Sequence, residues 1–373
     1  MTTKKLHIVS FDIPYPPNYG GIIDVFYKIK ELHILGIEIY LHTYIFGDKT
    51  EQISLENYCK KVYYYKRNSS FISLFSVLPF RLKSRKNKEL NNNLKRIGCP
   101  ILFEGLNTVY PLYKFNLKNS FVRTHNIEDD YFFGLAKSEK NYLKKIFFYS
   151  EAIKLKRFEK NLNKAAGIFT ISPFEQEYFS KKYSNKTHYL PAFHQAKIKE
   201  NHSEKGDFIL YHGDLRVIDN IKACLFLIDV YKNTKYKFVI ATSINEPKII
   251  NKIKGYQNIS IAQIPTQKDL DLLFEKAHIN TLFTFQKTGI KLKLLNTLYK
   301  GKFIIANSLL IEDTGLETTC ELANTKAEVL KKTEALFKIK FTKIIVKKRL
   351  EKLEQFSPEK SAKKLVSIIF KQF

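Results

Sequence analysis

The densest group of reactive side chains is the segment RTHNIEDDY at residues 123–131, which follows the apolar run of a predicted strand. It places Arg123, His125, Asn126 and Glu128 within six residues. Imidazole and carboxylate groups exchange protons, and a guanidinium group binds anions, so this spacing suits contacts to a polar substrate. A single histidine is also a common structural residue. The sequence leaves both interpretations open.

A second candidate is the loop PYPPNYGG at residues 14–21, which stands between a predicted strand and a predicted helix. Gly20 and Gly21 would let the backbone approach a ligand closely at a helix N-terminus, where N–H groups favour phosphate. Paired glycines before a helix are also ordinary turn residues.

Two further candidates lie in the second half of the chain. The segment YHGDLRVIDNIKA at residues 211–223 offers Arg216 after a strand that ends at Gly213. Farther on, Lys287, Lys291 and Lys293 surround the start of a predicted helix. Positive side chains are unfavourable at that end of a helix, so a bound anion would account for them.

The elements that must position these loops alternate regularly. Residues 5–13 and 37–46 read as strands, and the amphipathic stretch between them reads as a helix that Gly36 closes. Strand, helix and strand in this order predict a parallel sheet with helices on its faces.

The alternation of predicted strands and helices stops at residues 195–207, which are polar and without periodicity, and it resumes after them. We therefore predict an amino-terminal domain at 1–195, a second domain at 206–356 and a final helix at 357–373 that could pack across either. The predicted fold class is α/β, with two Rossmann-like domains whose parallel sheets face each other across a cleft, because ligands bind beyond the carboxyl ends of such strands.

Composition narrows the class of protein. The chain has 63 lysines and arginines against 36 aspartates and glutamates, a net charge of +27 that favours an anionic partner. No nucleic-acid reading module accompanies this charge, so no nucleic acid is expected as a partner. The four cysteines lack the spacing of a zinc site or a disulfide framework, and no apolar run is long enough to span a membrane. These features predict a cytoplasmic protein.

Together, and in this order along nearly the whole chain, the four segments resemble the retaining nucleotide-sugar glycosyltransferases of family 4, which have the GT-B fold. The resemblance implies that a nucleotide-diphosphate sugar binds mainly to the second domain and that a glycan or lipid-linked acceptor enters over the first. We expect no metal and no cofactor besides the sugar nucleotide, because the sequence has no D-x-D carboxylate pair in a suitable loop and its basic residues could neutralise the diphosphate.

The resemblance also implies roles for individual residues. His125 would be the catalytic contact near the transferred sugar, with Arg123, Asn126 and Glu128 touching the acceptor or supporting His125. Asn296 would bind the ribose. The donor phosphates and sugar would be held by Gly20, Gly21, Arg216, Thr288, Gly289, Ile290 and Lys291.

Four positions depart from the family pattern. The family commonly has two glutamates with seven residues between them, and the matching positions here are Thr288 and Asn296. Asparagine offers one neutral acceptor where a carboxylate accepts from two hydroxyl groups, which we expect to weaken nucleotide binding by about 1–2 kcal/mol. The basic pair of the diphosphate site is also changed, since Asp214 and Asp219 stand where arginine and lysine are expected.

Two basic, aromatic segments, at residues 63–96 and 141–164, have the composition of a surface that rests on anionic lipid. The alternative for both is a helix with a buried apolar face and a solvated basic face. An anionic membrane surface, at the inner face of the plasma membrane, is therefore a further candidate partner.

The sequence thus favours a hexosyltransferase that acts in surface-polysaccharide synthesis. A GT-B-like binding or scaffold subunit without catalysis is the first alternative, supported by the missing glutamates. A basic nucleic-acid-binding protein is a remote one, supported only by the charge.

Overall fold

The structure is a computed structural model of the 373-residue chain. It describes residues 3–68, 70, 73–74, 76–115, 117–195, 203–286 and 292–371. These residues form two compact units, one made of residues 3–194 with 356–371 and the other of residues 195, 203–286 and 292–355. Most of the predicted linker, residues 196–202, lies outside the described part.

The first unit is a parallel sheet of seven described strands in the order β3-β2-β1-β4-β5-β6-β7. The strands are β1 Lys5–Val9, β2 Glu38–Ile45, β3 Lys61–Lys66, β4 Ile101–Glu104, β5 Ser120–Arg123, β6 Gly167–Thr170 and β7 Thr187–Tyr189. The helices between them are α1 Gly20–Ile34, α2 Phe80–Lys83, α3 Lys88–Arg96, α4 Tyr110–Lys114, α5 Glu128–Ser138, α6 Tyr142–Glu159 and α7 Pro173–Tyr183.

Burial explains why the central strands are almost entirely apolar. Every residue of β4, β5 and β6 is buried, as expected for parallel strands that helices cover on both faces. Glu104 and Arg123 are nevertheless the last residues of β4 and β5, so each apolar run ends in a buried charge.

The second unit repeats this plan with a sheet of six described strands in the order β10-β9-β8-β11-β12-β13. The strands are β8 Phe208–His212, β9 Phe238–Thr242, β10 Ile259–Gln263, β11 Ala277–Leu282, β12 Phe303–Ala306 and β13 Glu321–Leu322. The helices are α8 Ile218–Tyr231, α9 Pro247–Ile253, α10 Gln267–Lys276, α11 Leu292–Lys300, α12 Ser308–Ile311, α13 Lys326–Phe337 and α14 Lys343–Leu353.

The final helix, α15 Pro358–Ile369, belongs to the first unit. Its N-cap is Ser357, whose side chain accepts from the Lys360 N–H. It packs on α1, and its buried residues Ala362, Leu365 and Ile369 join the same apolar cluster as the buried face of α1.

The predicted α/β class with parallel sheets is confirmed. Ser172 caps α7 by accepting from the Glu175 N–H. Three strands were not predicted, β3, β7 and β13. The described part of the helix expected after residue 288 begins at Leu292, and Leu294 and Leu298 are among its buried residues. In the described chain, no helix is both long and apolar enough to cross a membrane.

Candidate functional site

The first candidate site lies at the carboxyl edge of the seven-stranded sheet. Strands β1, β4 and β5 are neighbours, so the ends of β4 and β5 bring Glu104 and Arg123 side by side. The helix that follows β1 contributes Asp24 and Lys28, spaced four residues apart on its buried face. His125 follows β5 by two residues and completes the group.

These five side chains form one buried ion network. Lys28 Nζ donates to Asp24 Oδ2 at 2.8 Å and to both oxygens of Glu104 at 2.7 and 2.9 Å. Arg123 Nη2 donates to Asp24 Oδ1 at 3.0 Å, and His125 Nε2 lies 3.0 Å from Glu104 Oε2. The side chains of Asp24, Lys28, Glu104 and Arg123 have no solvent exposure. Buried charges are tolerated only when they are paired in this way.

Opposite charges keep both carboxyl groups ionised. Burial by itself would raise the pKa of Asp24, but Arg123 and Lys28 outweigh that effect and lower this pKa below its usual value. Burial would also raise the pKa of Glu104, and here Lys28 and the hydrogen bond from His125 lower it. The network is therefore charged at neutral pH, with two carboxylates against two cations.

Arg123 also donates hydrogen bonds to backbone carbonyls at this edge of the sheet. Its Nη1 donates to the carbonyls of Thr170 and Leu190, and its Nη2 donates to that of Pro191. Thr170 is the last residue of β6, and Leu190 and Pro191 follow β7, so one guanidinium group connects β5, β6, β7 and α1. All three guanidinium nitrogens donate hydrogen bonds, which explains how Arg123 can be fully buried.

A hydrogen bond to Glu104 orients His125. Glu104 is a carboxylate and can only accept, so His125 Nε2 donates to it. The Phe11 ring stands edge-on to the imidazole, with 5.4 Å between centroids. Gly105 has φ +78°, a backbone conformation that favours glycine, and a Cβ atom there would lie 3.8 Å from an atom of each ring. The ring is thus fixed from two sides.

Gly21 supports this arrangement through Phe11. A Cβ atom at Gly21 would lie 2.7 Å from Phe11 Cζ, so a side chain there would displace the phenyl ring that packs on His125. Gly20 is the first residue of α1, whose N-terminus has no side-chain cap. The structure shows a packing role for Gly21, and the donor contact stays a prediction for both glycines.

The two remaining candidates in this loop differ in burial. Asn126 is half-buried. Glu128 begins α5 and is 7% exposed, and its Oε2 atom has no hydrogen-bond partner in the described part of the chain. Burial raises the pKa of Glu128, against the opposing charges of Arg81, His125 and Arg85. A buried oxygen without a hydrogen bond is unfavourable for stability, so Glu128 is a candidate to accept a hydrogen bond from a ligand.

Asp24, Glu104 and His125 each offer a ligand atom for a metal, and these atoms lie within 4.8 Å of one another. Lys28 Nζ, however, already donates to both carboxylates. A divalent cation would have to displace this ammonium group beside the further positive charge of Arg123. These residues therefore fit an ion network better than a metal centre. That the protein works without a metal stays a prediction.

The second candidate site lies in the other unit, around Gly213 at the end of β8. Lys293 Nζ donates to Asn220 Oδ1 at 2.8 Å and lies 5.1 Å from the centroid of the Tyr211 ring. A Cβ atom on Gly213 would come within 3.2 Å of that ammonium group. Glycine thus lets the first turn of α11 bring a cation close to the β8–α8 loop.

Arg216 and the two unexpected aspartates also lie in this loop region. Arg216 is exposed and forms a forked ion pair with Asp214, with Nε–Oδ1 at 2.9 Å and Nη2–Oδ2 at 2.8 Å. Asp219 accepts from Thr284 Oγ1 at 2.7 Å and from the Phe285 N–H at 2.8 Å. Asp219 therefore anchors the loop after β11, which explains an acidic residue at this position.

Asn296 lies half-buried on α11, three residues after Lys293 and so on the same side of the helix. The other predicted donor contacts, Thr288, Gly289, Ile290 and Lys291, lie outside the described residues, as does Lys287. Their roles remain predictions.

The structure thus gathers Gly21, Arg123, His125 and Glu128 at one sheet edge. Sequence reasoning missed their partners Asp24, Lys28, Glu104 and Phe11. A signal was present: Asp24 and Lys28 are charges on the otherwise apolar face of α1, and Glu104 ends an apolar run as Arg123 does.

No protein-family model matches the chain. Among curated proteins, it is similar to the "Uncharacterized 44.6 kDa protein in cps region" of Klebsiella pneumoniae, with 26% identity over 351 residues that cover 87% of this chain and 88% of that protein.

Several solved structures match the full length of the chain. A variant of TarM from S. aureus, in complex with fondaparinux, α-GlcNAc-glycerol and UDP, has a TM-score of 0.66 and 11% identity over 98% of this chain and 100% of that one. A glycosyltransferase from Rickettsia africae has a TM-score of 0.65 and 14% identity, over 100% of this chain and 99% of that one. HepE from Anabaena, in complex with UDP and glucose, has a TM-score of 0.62 and 11% identity, over 98% of each chain. The two parallel-sheet domains described above are therefore those of the GT-B glycosyltransferase fold.

Proposed function

We propose that this chain is a retaining glycosyltransferase, similar to family 4, that moves a hexose from a nucleotide-diphosphate sugar to a glycan or lipid-linked acceptor. The observation that carries the proposal is the GT-B fold over the whole chain, shared with glycosyltransferase structures that hold UDP. The name of the Klebsiella relative refers to a cps region, a term for capsular polysaccharide genes. We infer a cytoplasmic role in surface-polysaccharide synthesis.

The donor would be held by the second unit. Lys293, next to Gly213 and the start of α8, offers an ammonium group to a phosphate, while the exposed Arg216 keeps free N–H groups beside its pair with Asp214. Asn296 would bind the ribose through neutral hydrogen bonds. Thr288, Gly289, Ile290 and Lys291 would contribute the remaining sugar and phosphate contacts.

The acceptor and the transferred sugar would meet the first unit. His125 presents Nδ1 while Glu104 holds Nε2, so the ring can accept from a sugar hydroxyl in a fixed orientation. Transfer with retention needs the acceptor to attack on the face from which the diphosphate departs. Cations that stabilise the departing charge supply much of this catalysis, and Lys293 and Arg216 offer them without a metal.

A thermal-shift screen against UDP, GDP, ADP and CMP tests donor binding. One diphosphate is expected to raise the melting temperature, since ligand at a hundredfold excess over Kd stabilises by about 2.7 kcal/mol. Lys293→Ala is expected to weaken this binding by about tenfold or more, because it removes a charge-assisted bond to phosphate.

Lys300→Ala is the matched control, because Lys300 lies on the same helix and pairs with Asp271 at 2.7 Å. It should leave the nucleotide shift unchanged. No shift with any nucleotide at millimolar concentration would remove the proposal and favour the scaffold alternative, which the absence of glutamate at positions 288 and 296 supports.

We further infer that α6 touches an anionic membrane. One face of α6 is buried in the first unit, with Ala152, Leu155 and Phe158. Another face exposes a row of apolar side chains, namely Tyr142, Leu143, Ile146, Tyr149 and Ile153, which are 36–77% exposed. Basic residues on the same helix are exposed as well, namely Lys144, Lys156 and Arg157. Exposed apolar side chains next to cations suit the interface of an anionic lipid layer.

Flotation with vesicles measures this contact. The protein is expected to float with vesicles that contain phosphatidylglycerol, and the double variant Leu143→Ser, Ile146→Ser should lose at least about tenfold in binding, because two apolar side chains no longer leave water. A double variant with Ile53→Ser and Ile344→Ser changes equally exposed isoleucines elsewhere and serves as control. Equal flotation of the α6 variant and the unchanged protein would contradict the contact.

A further inference from the structure

Three arginines of the first unit lie within electrostatic reach of one another, and we call Arg67, Arg81 and Arg85 the arginine cluster. Within the described ranges of the chain, none of the three forms an ion pair with a carboxylate. Arg67 follows β3, Arg81 lies in α2 and Arg85 follows α2. Arg85 Nη1 donates to the Arg81 carbonyl at 2.7 Å, and Arg67 Nε donates to Ser84 Oγ at 2.8 Å. The cluster is thus assembled from two segments of chain.

Among the described residues, the side chains of the arginine cluster donate hydrogen bonds only to neutral oxygen atoms. Arg85 Nε and Nη2 both donate to the Phe11 carbonyl, at 3.2 and 2.8 Å. The Arg81 guanidinium group donates no hydrogen bond to any residue that the structure describes, and its central carbon lies 4.8 Å from the centroid of the Phe132 ring. The nearby carboxylate of Asp12 is occupied by Tyr19 and Lys49.

Such a cluster is costly unless an anion joins it. Arg85 is only 7% exposed, and burial together with the charge of Arg67 lowers its pKa to about 9. The guanidinium group is still cationic at neutral pH. Like charges buried side by side repel each other, and an anion would remove both this repulsion and part of the desolvation cost.

Glu128 is the second observation that points to a ligand. Phe132, which carries Arg81 on its ring, lies four residues after Glu128 on α5, so both face the same side of that helix. Glu128 is more than nine-tenths buried, and its Oε2 atom has no partner in the described chain. A hydroxyl group next to the anion would donate to this oxygen.

We propose that the arginine cluster and Glu128 bind a phosphorylated sugar or polyol, with its phosphate on Arg67, Arg81 and Arg85 and a neighbouring hydroxyl on Glu128. Phosphate suits three guanidinium groups better than a carboxylate does, because it has more acceptor oxygens and a greater charge. Phe11 joins this site to the candidate active site, since its carbonyl accepts from Arg85 and its ring packs on His125. If the chain is a glycosyltransferase, this ligand is its acceptor substrate. That identification rests on the proposed function, whereas the binding of phosphate by the arginine cluster does not.

Calorimetric titration with three probes tests the proposal: inorganic phosphate, glucose 1-phosphate, and phosphatidylcholine vesicles that carry a polyprenyl phosphate. The key variant is Arg81→Gln, which removes a guanidinium group that makes no hydrogen bond in the described chain, and circular dichroism checks that the variant keeps its fold. Arg67→Gln is the second variant. Arg96→Gln is the control, because Arg96 is an exposed arginine of the same unit.

We expect glucose 1-phosphate to bind and Arg81→Gln to weaken it by about tenfold or more, with Arg96→Gln unchanged. Binding of the vesicle probe alone, lost in the same variant, would assign the phosphate to a lipid. No binding of any probe, or equal binding by all variants, would overturn the site. UDP binding measured on Arg81→Gln separates the two ideas, because a retained UDP shift leaves the proposed function standing when the phosphate site fails.

Discussion

Replacing Arg123 with methionine is expected to lower the free energy of unfolding of the first domain by about 3–5 kcal/mol, the usual cost of breaking a buried ion pair from one side. Asp24 would keep a charge in the interior and lose its Arg123 bonds, one of 3.0 Å and one of 3.3 Å. The carbonyls of Thr170, Leu190 and Pro191 would lose a donor at the same time.

Urea unfolding followed by circular dichroism measures this loss. Arg96→Met, at an exposed position of the same domain, is the matched control and should change stability by less than about 0.5 kcal/mol. The double variant Asp24→Asn, Arg123→Met should be more stable than Arg123→Met alone, because the uncompensated charge is gone. A loss below about 1 kcal/mol in the single variant would mean that solvent reaches Asp24.

The domain plan could be predicted because local patterns determine it. Apolar runs that end in polar loops mark buried parallel strands, and the amphipathic stretches between them mark helices, so the α/β class needed no long-range information. The predicted strands at residues 5–13 and 37–46 contain β1 and β2.

The missed strand β3 shows where composition misleads. Residues 63–66 of this strand, YYYK, belong to the basic, aromatic segment at 63–96, yet Tyr63 and Tyr65 alternate into the core, where they are 8% and 2% exposed. The Tyr65 hydroxyl lies 2.8 Å from His42 Nδ1 on the neighbouring strand. The alternation of two residues was a usable signal, but lysines at both ends hid it.

The candidate site was predicted only in part, because its partners are distant in sequence. Asp24 and Arg123 are separated by 99 positions, and no local pattern tells which helix packs against which strand end. The arginine cluster depends on the same kind of contact, since Arg85 meets Phe11 across 74 positions. Residues after a strand can be predicted to lie at its carboxyl edge, whereas their partners need the strand order.

Replacing His125 with alanine is expected to reduce kcat/KM for sugar transfer by about 100-fold or more, the range of a positioned acid–base or hydrogen-bonding group in a transition state. The assay uses the donor that the thermal-shift screen identifies. His33→Ala, which changes an exposed histidine near the end of α1, is the matched control and should leave the rate unchanged.

Glu104 acts through His125 and is a positioning residue, so its variant separates orientation from packing. In Glu104→Gln the side chain keeps its size and can still accept from Nε2, but it loses the charge that pairs with Lys28. We expect an intermediate fall in kcat of about tenfold, with donor binding unchanged, because the imidazole is held less firmly. A merely structural role would lower thermal stability without moving kcat. If His125→Ala kept its rate within about threefold of the unchanged protein, the catalytic contact would have to lie elsewhere, and Glu128 would be the next residue to replace.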